Sequence, residues 1–124
     1  MKKIETKSFV QDKFAEYYRK HASTILPPTS IEKREFGFLL FKERIMLRHK
    51  GFQNVDYLRE FLKAAVPSDV YYSSAFYEKP EEEMEEKGWL GADLIFDIDA
   101  DHIPTPCAKV HDTWVCNNCG FVGR

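Results

Sequence analysis

Within its 124 residues the chain has no apolar run long enough to cross a membrane. Its first residues, Met1-Lys2-Lys3-Ile4-Glu5, lack the apolar core of a secretion signal. The expectation is an intracellular chain with no membrane partner. An excess of one charge is missing too: 18 Lys and Arg stand against 20 Asp and Glu, a formal net charge of -2. So balanced a chain has no global attraction to polyanions, and any nucleic-acid contact must come from a local basic patch. Cysteine is scarce. Three cysteines cannot all pair with one another, and they lie together near the end of the chain. That excludes a disulfide framework and points to a metal site. There are no repeats and no low-complexity tract. Apolar material is not lacking: 44% of residues are hydrophobic and 15% aromatic, enough to build the core of one domain or a piece of one.

The most informative stretch is Ala92-Asp93-Leu94-Ile95-Phe96-Asp97-Ile98-Asp99-Ala100-Asp101. Read as a strand, it points Leu94, Phe96, Ile98 and Ala100 one way and Asp97, Asp99 and Asp101 the other. Carboxylates at i and i+2 on one strand face can grip the same hard cation or two adjacent ones, so the pattern fits a Mg²⁺ or Mn²⁺ clamp for phosphoryl or nucleotidyl transfer. The plain alternative is an exposed acidic strand end. Three like charges on one face repel, which favours a cation there.

Upstream, Val10, Phe14, Tyr17, Tyr18 and His21 recur at helical spacing and predict a helix over 7–22 with these side chains as its core face. Pro27 and Pro28 make a connector. Residues 35–41 and 44–48 read as two strands of a hairpin whose charged turn lacks an Asn-Gly signal. Asn54 caps a second helix over 54–66, with Val55, Leu58, Leu62 and Ala65 buried and Pro67 ending it. Residues 69–77 read as one strand, 81–86 as a short acidic helix closed by Gly88, and 92–101 as the aspartate strand. The fold class expected is α/β, or α+β, with a mainly antiparallel or mixed sheet and packed helices over 1–102. Phe36, Phe38, Leu58, Leu62, Leu94 and Phe96 are expected to be buried.

From Ile103 onward the composition changes. Cys107, His111, Cys116 and Cys119 give C-x3-H-x4-C-x2-C over 103–124. Three thiolates and an imidazole make a closed tetrahedral zinc site, whose binding energy is folding energy. A redox Cys-x-x-C would leave Cys107 and His111 unexplained, and His102 competes as the fourth ligand. Arg44, Arg48, His49 and Lys50 form a basic hairpin edge that could meet phosphates or could be an ordinary solvated edge.

Arg34-Glu35-Phe36-Gly37-Phe38, then Tyr71-Tyr72-Ser73-Ser74-Ala75, then Phe96-Asp97-Ile98-Asp99-Ala100-Asp101-His102 closely resemble the N-terminal part of the archaeal and eukaryotic DNA primase catalytic (small) subunit. The cysteine knuckle resembles that of the archaeal members. The resemblance implies a template-directed nucleotidyltransferase that starts chains from two nucleoside triphosphates on a single-stranded DNA template. It implies a primase large subunit and a replicative polymerase assembly as partners, and work in an archaeal cytoplasm or nucleoid, or in a nucleus. It assigns Asp97 and Asp99 as catalytic carboxylates holding Mg²⁺ or Mn²⁺, and Cys107, His111, Cys116 and Cys119 as ligands of structural Zn²⁺. Arg34, Glu35, Arg48 and Lys50 are candidate nucleotide or nucleic-acid contacts, and Asp101 a group that orients His102 or a water. Members of that family are longer. Their third catalytic aspartate and a Ser-x-His phosphate motif lie downstream, whereas 23 residues follow Asp101 here and no Ser-x-His occurs. The expectation is a fragment or reduced homologue that makes no primers alone and has an unpaired sheet edge. Two readings compete: a haloacid-dehalogenase-type phosphatase, which leaves too little chain after the aspartates, and a non-enzymatic zinc-stabilised module that binds nucleic acid or a partner subunit.

Overall fold

The structure is a computed structural model, and it describes residues 2–99 and 114–123. The chain divides into two compact units, Met1–Leu94 and Ile95–Arg124.

The first unit opens with helix α1, Lys2–His21, longer at its start than its apolar pattern predicts. Its buried face is also narrower. Tyr18 and the partly buried Phe14 reach the core, whereas Tyr17 is exposed and packs beside His21 on the surface. The Tyr18 hydroxyl donates to the Pro67 carbonyl at 3.0 Å, tying the helix to the sheet. The connector after α1 contains two short 3-10 turns, Ala22–Thr24 and Ile31–Lys33, on either side of the two prolines.

Strands β1 (Phe36–Leu40) and β2 (Met46–Lys50) form the expected antiparallel hairpin. In place of Asn-Gly, Glu43 and Arg44 themselves take positive φ, 55° and 52°, as a type I′ turn requires. Helix α2, Val55–Ala65, starts at Asn54, whose side chain accepts from the N–H groups of Asp56 and Tyr57. Strand β3, Pro67–Tyr72, completes an antiparallel three-stranded sheet in the order β2-β1-β3. Phe36 and Phe38 point from β1 to one face, where they meet Leu58 and Leu62 of α2, Tyr18 of α1 and Ile31. The Phe38 and Phe61 rings lie 4.5 Å apart. Full burial of side chains this size stabilises by about 2 kcal/mol each, and this cluster is the core of the unit.

Three expectations are corrected. The strand over 69–77 is broken: Ser73 leaves the sheet, and Ala75–Tyr77 becomes β4, paired with β5 (Trp89–Ala92) in a separate two-stranded sheet. The break is built by Ser73, whose N–H donates to the Glu35 carbonyl while its hydroxyl donates to Ala75 and accepts from the Glu35 N–H. The acidic stretch 81–86 forms turns, not a helix, with Glu82 N–H on Lys79 and Glu86 N–H on Glu83. Like charges one helical turn apart disfavour the helix. Finally, residues 93–99 form no strand. The Asp93 N–H still donates to the Ser74 carbonyl at 2.9 Å, but no strand pairs with the chain beyond it among the described residues. Leu94 and Phe96, expected to be buried, are 83% and 78% exposed, and Ile98, Asp97 and Asp99 are exposed as well. A strand is held by its neighbour's peptide groups, and without one the alternation of side chains sorts nothing into an inside and an outside.

In the second unit, β6 (Trp114–Val115) pairs with β7 (Val122–Gly123) around a tight turn. A Cβ on Gly123 would stand 2.6 Å from the Trp114 ring, so any larger residue there would displace that ring. The fold is α+β with antiparallel sheets, within the class expected.

Candidate functional site

Because Phe36 and Phe38 face the helices, Gly37 faces the other way, onto a side of the sheet that no helix covers among the described residues. There a groove of about 460 Å³ opens between Met46 and Arg48 of β2 and Tyr71 of β3, ending at Ser73, Ser74 and Tyr77. Gly37 lies low in it because it has no side chain.

A β-bulge shapes one wall. Phe36 pairs with Lys50 but Phe38 with Leu47, so Arg48 and His49 together oppose Gly37. His49 takes the left-handed conformation, φ 55°, that absorbs the extra residue. Its N–H donates to Glu35 Oε1 at 3.0 Å. Arg48 is thereby turned out over the groove, mostly exposed, with its Nε 3.8 Å from Glu35 Oε1. Lys50 ends the strand half-buried.

Behind Glu35 lies a buried cation. Lys87 is 0% exposed, and its Nζ donates to His49 Nδ1 at 2.8 Å and to the carbonyls of Pro80 and Glu82, with Glu35 Oε2 at 3.7 Å. An ammonium can only donate, so His49 Nδ1 is the acceptor this contact calls for, while Nε2 lies 3.9 Å from Glu83 Oε2.

Arg34, 1% exposed, is enclosed. It donates to Thr29 twice and to the Ser73 and Ser74 carbonyls, and Nη2 pairs with Asp93 Oδ2 at 2.7 Å. Its guanidinium also lies 4.0 Å over the Phe76 ring. The arginine thus joins the connector, the break after β3 and the start of the aspartate stretch.

The structure therefore brings Glu35 and Arg48 together at the groove and encloses Arg34 beside it. Asp97 and Asp99 belong to the second unit, two residues apart and exposed. Cys107, His111, Asp101 and His102 lie outside the described residues. Cys116 and Cys119 are free thiols on the turn between β6 and β7. The turn closes through Cys116 N–H on Phe121 and Gly120 N–H on Cys116, both at 2.8 Å, with Gly120 at φ 72°. Backbone N–H groups of Cys119 and Asn118, together with the Cys119 thiol, hold the Cys116 thiol below its usual range. Amides aimed at a sulfur favour the thiolate, the form that binds a metal. Among the described residues no group of three or more His, Cys, Asp or Glu gathers to hold one.

Sequence reasoning missed Lys87, His49's role as its acceptor, and Asp93. Nothing in the sequence separates Lys87 from the nearby Lys79; only the closure of residues 78–88 against β2 buries one of them. The Asp93 contact required knowing where β3 breaks.

No family model matches the chain. Curated proteins do. It is 52% identical over 103 residues to the DNA primase small subunit PriS of Methanoregula boonei, covering 79% of this chain and 27% of that protein. Homology is plain at this level. The chain is homologous to part of the DNA primase small subunit. The PriS proteins of Archaeoglobus fulgidus, 48% identical over 103 residues, and Pyrobaculum calidifontis, 50% over 97, match 80% and 77% of it. Against each of these two primase subunits the chain spans 30% of the length.

Proposed function

We propose that this chain carries part of the catalytic centre of a DNA primase small subunit, which synthesises primers on single-stranded DNA from nucleoside triphosphates. The observation that carries this reading is the 40–52% identity to proteins of that name across about 79% of the chain. Two features of the molecule support it. Asp97 and Asp99 offer paired, exposed carboxylates, the hard oxygen donors that Mg²⁺ and Mn²⁺ take, with water and phosphate filling the remaining positions. The groove over Gly37 offers a guanidinium, Arg48, beside aromatic and aliphatic walls, which suits a nucleotide.

Bound there, such ions would supply Lewis acidity to an attacking hydroxyl and to a departing pyrophosphate. The chain's own share is to hold and to orient. In the second unit Asp97 and Asp99 would hold the ions; in the first, by itself, Arg48 would draw a phosphate to the sheet face, where Gly37 leaves room for what the phosphate is attached to. The cysteine turn is the stabilising element. Cys116 and Cys119, with Cys107 and His111, would hold one Zn²⁺, and the thiolate-favouring amides at Cys116 fit that ligand chemistry. In this reading the partners are a primase large subunit, the template and the replicative polymerase assembly, and the place of work is inside the cell, where DNA is copied.

The test is Mn²⁺ titration followed by electron paramagnetic resonance, with Asp97→Asn and Asp99→Asn beside the wild type. The expected result is weak, roughly millimolar, binding that both substitutions abolish, as befits two protein ligands. Binding that survives both substitutions would remove the carboxylate assignment.

A further inference from the structure

We propose that Lys87 is a positioning residue: by neutralising Glu35 from behind, it leaves Arg48 available to an anionic ligand in the groove. The inference rests on the reading of the groove as a phosphate site.

Among the described residues Glu35 is the only carboxylate lining the groove, and it is 8% exposed. Left alone, a buried carboxylate draws in whatever cation it can reach, and Arg48 is within reach, with Nε at 3.8 Å. An arginine held bidentate by its own neighbour has no fork to give to a phosphate. In the structure the contact goes no further than that single Nε approach, because the carboxylate has other partners. One Glu35 oxygen accepts the His49 N–H that the bulge releases, and the other faces the wholly buried Lys87 ammonium. Lys87 is itself fixed by three acceptors: His49 Nδ1 and the carbonyls of Pro80 and Glu82. The fixed cation costs no reorganisation when a ligand arrives. Glu35, Lys87 and His49 thus form a connected set, and Arg48 meets it only at the edge, through Nε 3.8 Å from Glu35 Oε1, with its side chain 61% exposed. Every member of the set belongs to the first unit.

The probe is inorganic tripolyphosphate, titrated calorimetrically without divalent metal so that Asp97 and Asp99 take no part. Arg48→Ala should weaken binding in the wild-type background. Lys87→Met should weaken it roughly five- to tenfold, through an uncompensated negative charge and the capture of Arg48. Glu35→Gln should tighten it about two- to threefold, and Glu35→Gln with Lys87→Met should return it to within about twofold of wild type, even where thermal melting stays lowered. Arg48→Ala added to Lys87→Met should cost little more than Lys87→Met alone, because that arginine is already engaged. A structural role for Lys87 would instead make affinity follow the melting temperature, with no recovery on Glu35→Gln.

If Lys87→Met does not fold, Glu35→Gln alone decides: unchanged or weaker binding overturns the inference. Binding that needs Arg48 but is indifferent to Lys87 and Glu35 overturns it while leaving the phosphate site intact. No tripolyphosphate binding by the wild type overturns the groove reading and the inference with it.

Discussion

Arg34 shows how much one buried side chain can organise. Its guanidinium answers carbonyls from the connector and from the break after β3, and it meets Asp93 at 2.7 Å. Arg34→Met leaves these acceptors unpaired and should lower the unfolding free energy by about 3 kcal/mol in a urea titration. Arg34→Lys should recover only part, since an ammonium cannot reproduce the planar fork. Tyr18 makes a second prediction. Burial, then the neighbouring Tyr17 and Asp69, push its hydroxyl above the ordinary tyrosine range. A raised pKa in the folded state means that the stability this group contributes is fully present below about pH 10 and is lost as pH rises through the folded value. Unfolding followed from pH 8 upward should show that alkaline loss, and Tyr18→Phe should flatten it while forfeiting the bond to Pro67.

At the level of the elements, local sequence decided whatever local interactions could hold. Asn54 caps α2 as its position predicts, and Asn54→Ala should cost about 1 kcal/mol, read from the same titration. On β1, a Cβ at Gly37 would meet its neighbours at 3.6 Å or more, which is ordinary contact. Gly37→Ala should therefore fold at least as well as wild type, whereas Gly37→Leu should fill the groove and abolish tripolyphosphate binding. The aspartate stretch behaves oppositely. Its apolar-acidic alternation is that of a strand, yet Leu94, Phe96 and Ile98 are exposed because no described strand pairs with them. Amide exchange at Leu94, Ile95 and Phe96 should be near the unprotected rate, and that at Phe38 slow. The same segment leaves four large apolar side chains and their peptide groups open to another chain.

For the whole molecule, the two units carry separate sources of stability: an aromatic and aliphatic core in Met1–Leu94, and in Ile95–Arg124 a short hairpin around two free thiols. If zinc binding supplies folding energy in the second, chelation should change the fluorescence of Trp114, which packs 5.6 Å from Phe121, and leave the helical circular dichroism of α1 and α2 in place. Elemental analysis should find one zinc per chain, and Cys116→Ala should remove it. A helical signal that collapses with the metal would contradict this division.

The α+β class, the hairpin of β1 and β2, the capped second helix and the core positions Phe36, Phe38, Leu58 and Leu62 were all legible in the sequence, whereas the choice between an antiparallel and a mixed sheet was not. Each depends on residue patterning or capping within a few residues. So was the likeness to the primase small subunit, because motif order survives without coordinates. The tertiary structure alone decided that Lys87 is buried while Lys79 is not, that Arg34 reaches Asp93, that 69–77 breaks at Ser73, and that 93–99 has no strand to pair with. These outcomes depend on what arrives from distant parts of the chain. A buried charge needs its acceptors and a strand needs its neighbour, and neither requirement is written in the local pattern of residues.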